Sequence, residues 1–265
     1  MLTLIRGGGD LASGVAYRLH RAGIQVVITE IPQPLMVRRL VSFGEAVYSG
    51  QIAVEGITAC KAATSQEAET ILAGGDIAVI VDPEAEIRHS LQPDVIIDGR
   101  MTKIAPDLAL NAASLMIGLG PGCVAGVNCH VAIETNRGHF LGRTIWSGSP
   151  QTDTGIPGEV NSRRSSRVLR AERSGELQVL VQIGELVQEG QLLARVADQE
   201  IRAPFQGILR GIAHPGIQTR PGLKIGDVDP RLDPAYATLI SEKSLAIGGG
   251  VLEAILSRPD LRRKL

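Results

Sequence analysis

Apolar positions change period twice within the first thirty residues. Leu2, Leu4 and Ile5 form a short strand-like run. Leu11, Val15 and Leu19 then recur at helical spacing, with Ala12 and Ala16 alongside, and Gly23 ends the pattern. Residues 26–29 read as a second strand that closes on Glu30. Between the first strand and the helix runs Gly7-Gly8-Gly9-Asp10-Leu11-Ala12, a match to G-x-G-x-x-[G/A]. Strand, glycine turn, helix, strand and terminal acid together predict a mononucleotide-binding βαβ unit. In such a unit Gly7 permits the tight turn and Gly9 lets backbone N–H groups approach a pyrophosphate at the N-terminus of the helix from Asp10. Ala12 is small enough for the helix to pack on the strand, and Glu30 accepts from a ribose hydroxyl. The predicted ligand is a nucleotide, NAD-like, or a pterin phosphate; a glycine turn without a ligand is the alternative.

Further along, residues 37–48 read as a short helix or ordered loop. Gln51–Val54 and residues 57–60 read as short extended pieces. Thr64-Ser65-Gln66-Glu67 is a capping box that opens a helix to Ala73. Residues 77–81 and 95–97 are β-rich runs that end on Asp82 and Asp98. This alternation predicts an α/β fold with a Rossmann-like, mostly parallel sheet, whose ligands collect at the carboxyl ends of the strands. Residues 108–133 contain no charged side chain, but five glycines and prolines from Gly118 to Gly126 interrupt them. They read as strand, glycine loop and strand rather than a membrane span.

Near residue 160 the pattern changes. Arg163, Arg164, Arg167, Arg170 and Arg173 among serines make either a solvated connector or a phosphate-gripping patch. Beyond them Gly184–Gly190 is answered by Gly216–Gly222, a weak repeat of short strands and glycine turns. This part resembles the biotinyl/lipoyl barrel-sandwich fold, but the hairpin tip Asp198-Gln199-Glu200 offers no acceptor lysine, so no covalently attached cofactor is expected. The division expected is residues 1–160 for the sheet domain, 161–240 for the small all-β module, and 241–265 for a C-terminal helix packing back on the first domain.

Composition narrows the function classes. The net charge of −1 and the 3% aromatic content leave no footprint for nucleic acid or an anionic membrane. Cys60, Cys123 and Cys129 are an odd number at no disulfide or zinc spacing, which fits reduced thiols in the cytoplasm; no signal peptide is visible and no metal is expected.

Several residues could carry chemistry. Gly118, Gly120 and Gly122 follow a predicted buried strand and make either an anion-binding nest or a sharp turn between core strands. Arg38 and Arg39 either grip a diphosphate or line a solvated helix face. Asp98 and Arg100 would flank the same cleft, although Asp98 equally suits a turn at Gly99. Glu134 with His139 is the best acid/base pair, since both follow a predicted buried strand. Cys129-His130 with His139 matches no standard metal spacing, and Cys123 and Cys129 either carry sulfur or pack inertly. Asp153-Thr154-Gly155 matches the aspartic protease tripeptide without the paired machinery, and that reading is rejected.

Three stretches together resemble the selenium-dependent molybdenum hydroxylase accessory family, with outline similarity to the XdhC/CoxI maturation proteins. They are residues 5–12; residues 37–48, with Arg38, Arg39 and Tyr48; and residues 98–139, from Asp98-Gly99-Arg100 through Gly118-Leu119-Gly120-Pro121-Gly122 to Gly138-His139. Residues 224–231 of the β-module add to it. Cys123 and Asp153 depart from the expected pattern. The resemblance implies a cytoplasmic maturation factor that binds a nucleotide or the molybdopterin cofactor and assists a client molybdenum hydroxylase, possible as a homo-oligomer. An NAD(P)-dependent oxidoreductase and a non-enzymatic adaptor docking the client are the alternatives.

Overall fold

The computed structural model describes residues 1–152 and 165–265. Its largest element is a nine-stranded sheet built from β1 (Leu2–Arg6), β2 (Gln25–Glu30), β3 (Gln51–Val54), β4 (Ile57–Ala62), β5 (Ile77–Val81), β6 (Val95–Asp98), β7 (Leu115–Leu119), β8 (Val131–Ile133) and β9 (Thr144–Ile145). The spatial order is β3-β4-β5-β2-β1-β6-β7-β8-β9. Strands β4 to β8 pair in parallel, while β3 and β9 run antiparallel at the two edges. The unbroken apolar runs of the inner strands follow from burial on both faces. In register, Ile5 stands between Ile28 and Ile97, and all three are fully buried.

Helix α1 (Asp10–Arg21) buries Ala12, Val15, Ala16 and Leu19, the apolar positions spaced for one face. It also buries Gly14, because the helix Glu242–Leu256 crosses it there. A Cβ on Gly14 would stand 2.5 Å from Ser244 Cβ, and one on Gly248 would stand 2.7 Å from the Gly14 carbonyl. The helix Ser65–Ala73 starts at Thr64, whose side chain accepts the Glu67 N–H.

The chain divides into two compact units, Met1–Pro34 with Phe43–Thr154 and Ile240–Leu265, and Leu35–Ser42 with Gly155–Leu239. The second unit holds β10 (Val168–Arg170), β11 (Gly175–Val179), β12 (Leu186–Val187), β13 (Leu192–Val196), β14 (Gln199–Arg202), β15 (Gly207–Ile212), β16 (Gln218–Thr219) and β17 (Lys224–Asp229). They form two four-stranded antiparallel sheets, β10-β17-β15-β12 and β14-β13-β11-β16, around Leu177, Leu193, Leu209, Ile225 and Val228. Among the described residues no helix is long and apolar enough to cross a membrane.

The expectation of a Rossmann-like sheet domain with a biotinyl/lipoyl-like module requires correction. The large sheet is mixed, with an antiparallel strand at each edge. The connection from β6 to β7 carries only the single turn Leu110–Ala112, and no helix lies between β7 and β8. Proline and glycine at 106, 118, 120, 121 and 122 account for those irregular crossovers. The second unit is a pair of antiparallel sheets that takes in Leu35–Ser42 from far upstream. The expectations for Asp153-Thr154-Gly155, Arg163 and Arg164 lie outside the described residues.

Candidate functional site

Strand order reverses at β1, which has β2 on one side and β6 on the other, and side chains from their carboxyl ends meet there. Arg6 ends β1 opposite Asp98, the last residue of β6. The Arg6 side chain is almost wholly buried. Its Nη2 donates to the Pro83 carbonyl at 2.7 Å, and its Nη1 donates to Asp107. Arg100 reaches the same carboxylate, with Nη1 and Nη2 each 3.0 Å from an Asp107 oxygen. Arg100 is itself held by Asp98, which accepts from Nε at 3.1 Å, from Nη2 at 2.5 Å and from the Arg100 N–H at 3.2 Å. Gly7 makes room for this: at φ +90° it turns the chain, and a Cβ there would lie 3.2 Å from Arg100 Cα.

Electrostatics follow the geometry. Burial works against the charge on Asp107, yet hydrogen bonds from Arg100 and Arg6, with their charges, hold its carboxyl well below the usual carboxylate range. Burial likewise opposes the Arg100 charge, and Asp98 and Asp107 more than reverse it, raising its pKa.

The first glycine turn is closed by the protein itself. Gly7 N–H donates to the Thr29 carbonyl at 2.8 Å, and Gly8 N–H donates to Glu30 Oε1 at 2.7 Å. Glu30 Oε2 accepts from Ile31 N–H at 2.9 Å. Burial raises the Glu30 pKa, and the two backbone bonds oppose that rise. Its carboxylate therefore stitches the turn rather than waiting for a ribose. Residues 43–44 cover the same spot: Gly44 N–H donates to Gly8 O at 2.9 Å, and a Cβ on Gly8 would lie 2.6 Å from Gly44 N. Gly9 faces open space, with nothing within 4 Å of a Cβ built there, and Asp10 accepts from Ser244 Oγ at 2.8 Å.

The second glycine turn is likewise filled by protein. Gly120 N–H donates to the Ile133 carbonyl at 2.9 Å, and a Cβ on Gly122 would lie 2.9 Å from Ile104 N. Gly118 packs against Cys123 and Cys129. Glu134 is buried with both oxygens engaged, accepting from Asn136 N–H at 2.6 Å and Gln151 N–H at 2.7 Å. His139 is exposed and offers its carbonyl to Arg143 Nε at 3.2 Å. The pair is thus divided between a buried loop anchor and a surface side chain. His130 Nδ1 accepts from Met116 N–H at 2.9 Å, and burial lowers its pKa, as suits a neutral structural imidazole. Among the described residues no three His, Cys, Asp or Glu side chains gather as metal ligands.

Arg38 and Arg39 belong to the second unit. Arg38 Nη2 donates to the carbonyls of Tyr236 at 3.1 Å and Leu239 at 2.7 Å, and Arg39 Nε donates to Ile212 O at 2.9 Å. Both guanidiniums serve as braces for backbone carbonyls of their own unit. Asp98 and Arg100 are brought together as their position at a strand end implied. Arg6 and Asp107 were not foreseen as site residues. Arg6 carried one usable signal, a charge closing an apolar strand, whereas nothing local marks Asp107.

No family model matches the chain. It is 44% identical over 255 residues to the uncharacterized protein YqeB of Escherichia coli strain K12, covering 96% of this chain and 47% of that protein. The chain therefore spans about half the length of the curated relative it matches. Solved structures are similar only distantly. The ectoine utilization protein EutE (DoeB) of Ruegeria pomeroyi is 11% identical, with 85% of each chain covered and a TM-score of 0.25. A succinylglutamate desuccinylase/aspartoacylase of Rhodobacter sphaeroides is 13% identical, covering 86% of this chain and 84% of that one, with a TM-score of 0.29. Scores this low assign neither fold nor activity to this chain.

These findings overturn the resemblance to the selenium-dependent molybdenum hydroxylase accessory family. The curated relative is uncharacterized and carries no molybdenum hydroxylase role to this chain. The maturation role and its selenium and molybdenum associations fall with it. The nucleotide or molybdopterin cofactor falls as well, and geometry supplies the reason. Glu30 and Gly44 occupy the turn that was to cradle its phosphates.

Proposed function

We propose that the first unit binds a small organic carboxylate at the ends of β1 and β6, gripped by Arg6 and Arg100. The observation that carries this reading is the convergence of two guanidiniums on the single carboxylate of Asp107. Guanidinium forks match a carboxylate in two parallel hydrogen bonds, and Asp98 fixes the plane of the Arg100 fork. Arg6 is buried, so its charge needs a counter-ion at all times. Asp107 supplies one from an irregular loop, with a side chain 52% exposed. A ligand carboxylate has the same charge and shape, and by replacing Asp107 it preserves the neutralisation of Arg6. Asp107 is in this reading a resident stand-in for the ligand.

Calorimetric titration of the parent protein and of Asp107→Ala with acetate, malonate and inorganic phosphate tests this. Removing the competing side chain is expected to tighten carboxylate binding about fivefold, since a partly exposed ion pair is worth on the order of 1 kcal/mol. Arg100→Gln is expected to abolish it. Absence of carboxylate binding to both the parent and Asp107→Ala, with both folded by circular dichroism, would overturn the reading.

A further inference from the structure

Cys123 and Cys129 lie outside the arginine cradle and support a separate inference. The chain between them is tied into a tight loop. Asn128 Oδ1 accepts from Val124 N–H at 2.8 Å, Asn128 Nδ2 donates to the Gly122 carbonyl at 3.0 Å, and Gly126 N–H donates to the Cys129 carbonyl at 2.8 Å. These bonds turn both sulfurs onto one spot, the Cα of Gly118. A Cβ there would collide with Cys123 Sγ and lie 3.4 Å from Cys129 Sγ. Both thiols are buried in a small cluster with Ala132. Only glycine at 118 leaves space for two sulfurs side by side.

We propose that Cys123 and Cys129 form a thiol–disulfide couple within the chain, closed by a hydroperoxide and reopened by a small dithiol. The Cys129 thiolate attacks one peroxide oxygen, the O–O bond breaks, and the departing hydroxide takes up a proton as water. The Cys123 sulfur then attacks the sulfenic sulfur of Cys129. The S–S bond forms, the S–O bond breaks, and the second hydroxide leaves as water with the Cys123 proton. Two thiols lose two electrons and one hydrogen peroxide becomes two waters.

Cys129 is the group prepared to react first. The Cys123 thiol beside it lowers its pKa; burial opposes this, and the nearby N–H groups of Gly118 and Val124 add to the lowering. The neighbouring Cys129 sulfur, with burial, pushes Cys123 up. Cys60 is the internal control. It is more exposed than either, yet burial and the Asp76 carboxylate push its thiol up. Reactivity set by exposure would put Cys60 first, whereas the couple puts Cys129 and Cys123 first.

The test is mass spectrometry on the full chain. The protein is treated with an equimolar amount of hydrogen peroxide, denatured, alkylated with iodoacetamide and cut with trypsin. The peptide spanning residues 104–137 carries both thiols, and Cys60 lies in the peptide spanning 40–61. The expected result is a 104–137 peptide that is unlabelled, lighter by two hydrogens and restored to double labelling by dithiothreitol, with Cys60 still labelled. Cys123→Ser should leave Cys129 as a sulfenic acid that dimedone traps. Oxidation of Cys60 ahead of the pair, or double labelling of 104–137 after the peroxide is consumed, would overturn the couple. The parent measurement decides even if the serine variant does not fold.

Discussion

The Arg6 guanidinium, buried at the end of β1, donates to the exposed carboxylate of Asp107, 101 residues further along the chain. This one bond ties the middle strand of the sheet to the irregular connection between β6 and β7. It also explains how a cation can sit among fully buried neighbours such as Ile5 and Ile97. Removing one partner of such a pair leaves an uncompensated charge, and that loss exceeds what the pair contributes over an apolar substitute.

Asp107→Asn is therefore expected to destabilise the protein by about 1–2 kcal/mol at neutral pH, between the values for exposed and for buried pairs. The pH dependence has a definite sign. The folded carboxyl titrates well below its unfolded value, so the folded state resists protonation. The contribution is complete above about pH 4, the unfolded carboxylate value, and is lost as pH falls through the depressed folded pKa. Urea unfolding of parent and variant at neutral pH and near pH 3 should show the gap narrowing in acid. A gap that widens in acid would contradict the assignment.

Local pattern made β1, α1 and β2 legible, because the apolar periods of Leu2–Ile5, Leu11–Leu19 and Val26–Thr29 need no distant information. The meaning of the glycine turn was not legible. Whether its N–H groups face a ligand depends on Glu30 folding back and on Gly44 lying across Gly8, and both are tertiary contacts. The bracing by Arg38 and Arg39 was hidden for the same reason, since their carbonyl partners, Ile212, Tyr236 and Leu239, lie far along the chain. Asp98 with Arg100 was readable because strand ends announce themselves in sequence. Asp107 sits in a loop without periodicity, where only the folded chain shows its partners.

Gly9 at the N-cap of α1 and Gly14 within the helix should respond differently to a side chain. A Cβ on Gly14 would strike the Ser244 backbone carbon at 2.7 Å, and that backbone belongs to a packed helix that cannot yield cheaply. Gly14→Val is expected to cost about 3 kcal/mol or more, well above the helix-propensity gain of leaving glycine. Gly9→Ala points into open space at φ −74°, an ordinary conformation, and should change stability by less than about 0.5 kcal/mol. Thermal melts of the two variants check the contrast, and equal losses would show that α1 does not pack as described.

Glu134 and His139 offer a second contrast. Glu134→Gln keeps the shape but turns an accepting oxygen into an NH2 group facing the N–H of Asn136 or Gln151. One partly buried donor is then left unsatisfied, an expected loss of about 1–2 kcal/mol. His139→Ala should leave stability within about 0.5 kcal/mol, because its side chain is exposed and its backbone carbonyl, which alanine keeps, is what accepts from Arg143. Chemical denaturation reads both. A neutral Glu134→Gln would show that the carboxylate is not the anchor of residues 134–151.

In the second unit Asp229 is a buried acid held by two arginines. Arg231 approaches it in a fork, Nε to Oδ1 at 2.9 Å and Nη2 to Oδ2 at 2.7 Å, while its guanidinium carbon lies 3.8 Å from the Tyr236 ring centroid. Burial opposes the Asp229 charge, but the bonds from Arg231 and the nearby Arg210 charge hold its pKa below the ordinary value. Lysine keeps the charge and loses both the planar fork and the stacking surface, so Arg231→Lys is expected to cost about 1–2 kcal/mol. Asp229→Ala should cost more, about 3 kcal/mol, because it removes the buried carboxylate that takes the Arg231 fork and one of the two that flank Arg210, the other being Asp227 at 3.7 Å. The order of the two midpoints in guanidinium chloride is the decisive reading. If Arg231→Lys proved the more damaging, stacking on Tyr236 rather than neutralisation of Asp229 would be the main duty of that arginine.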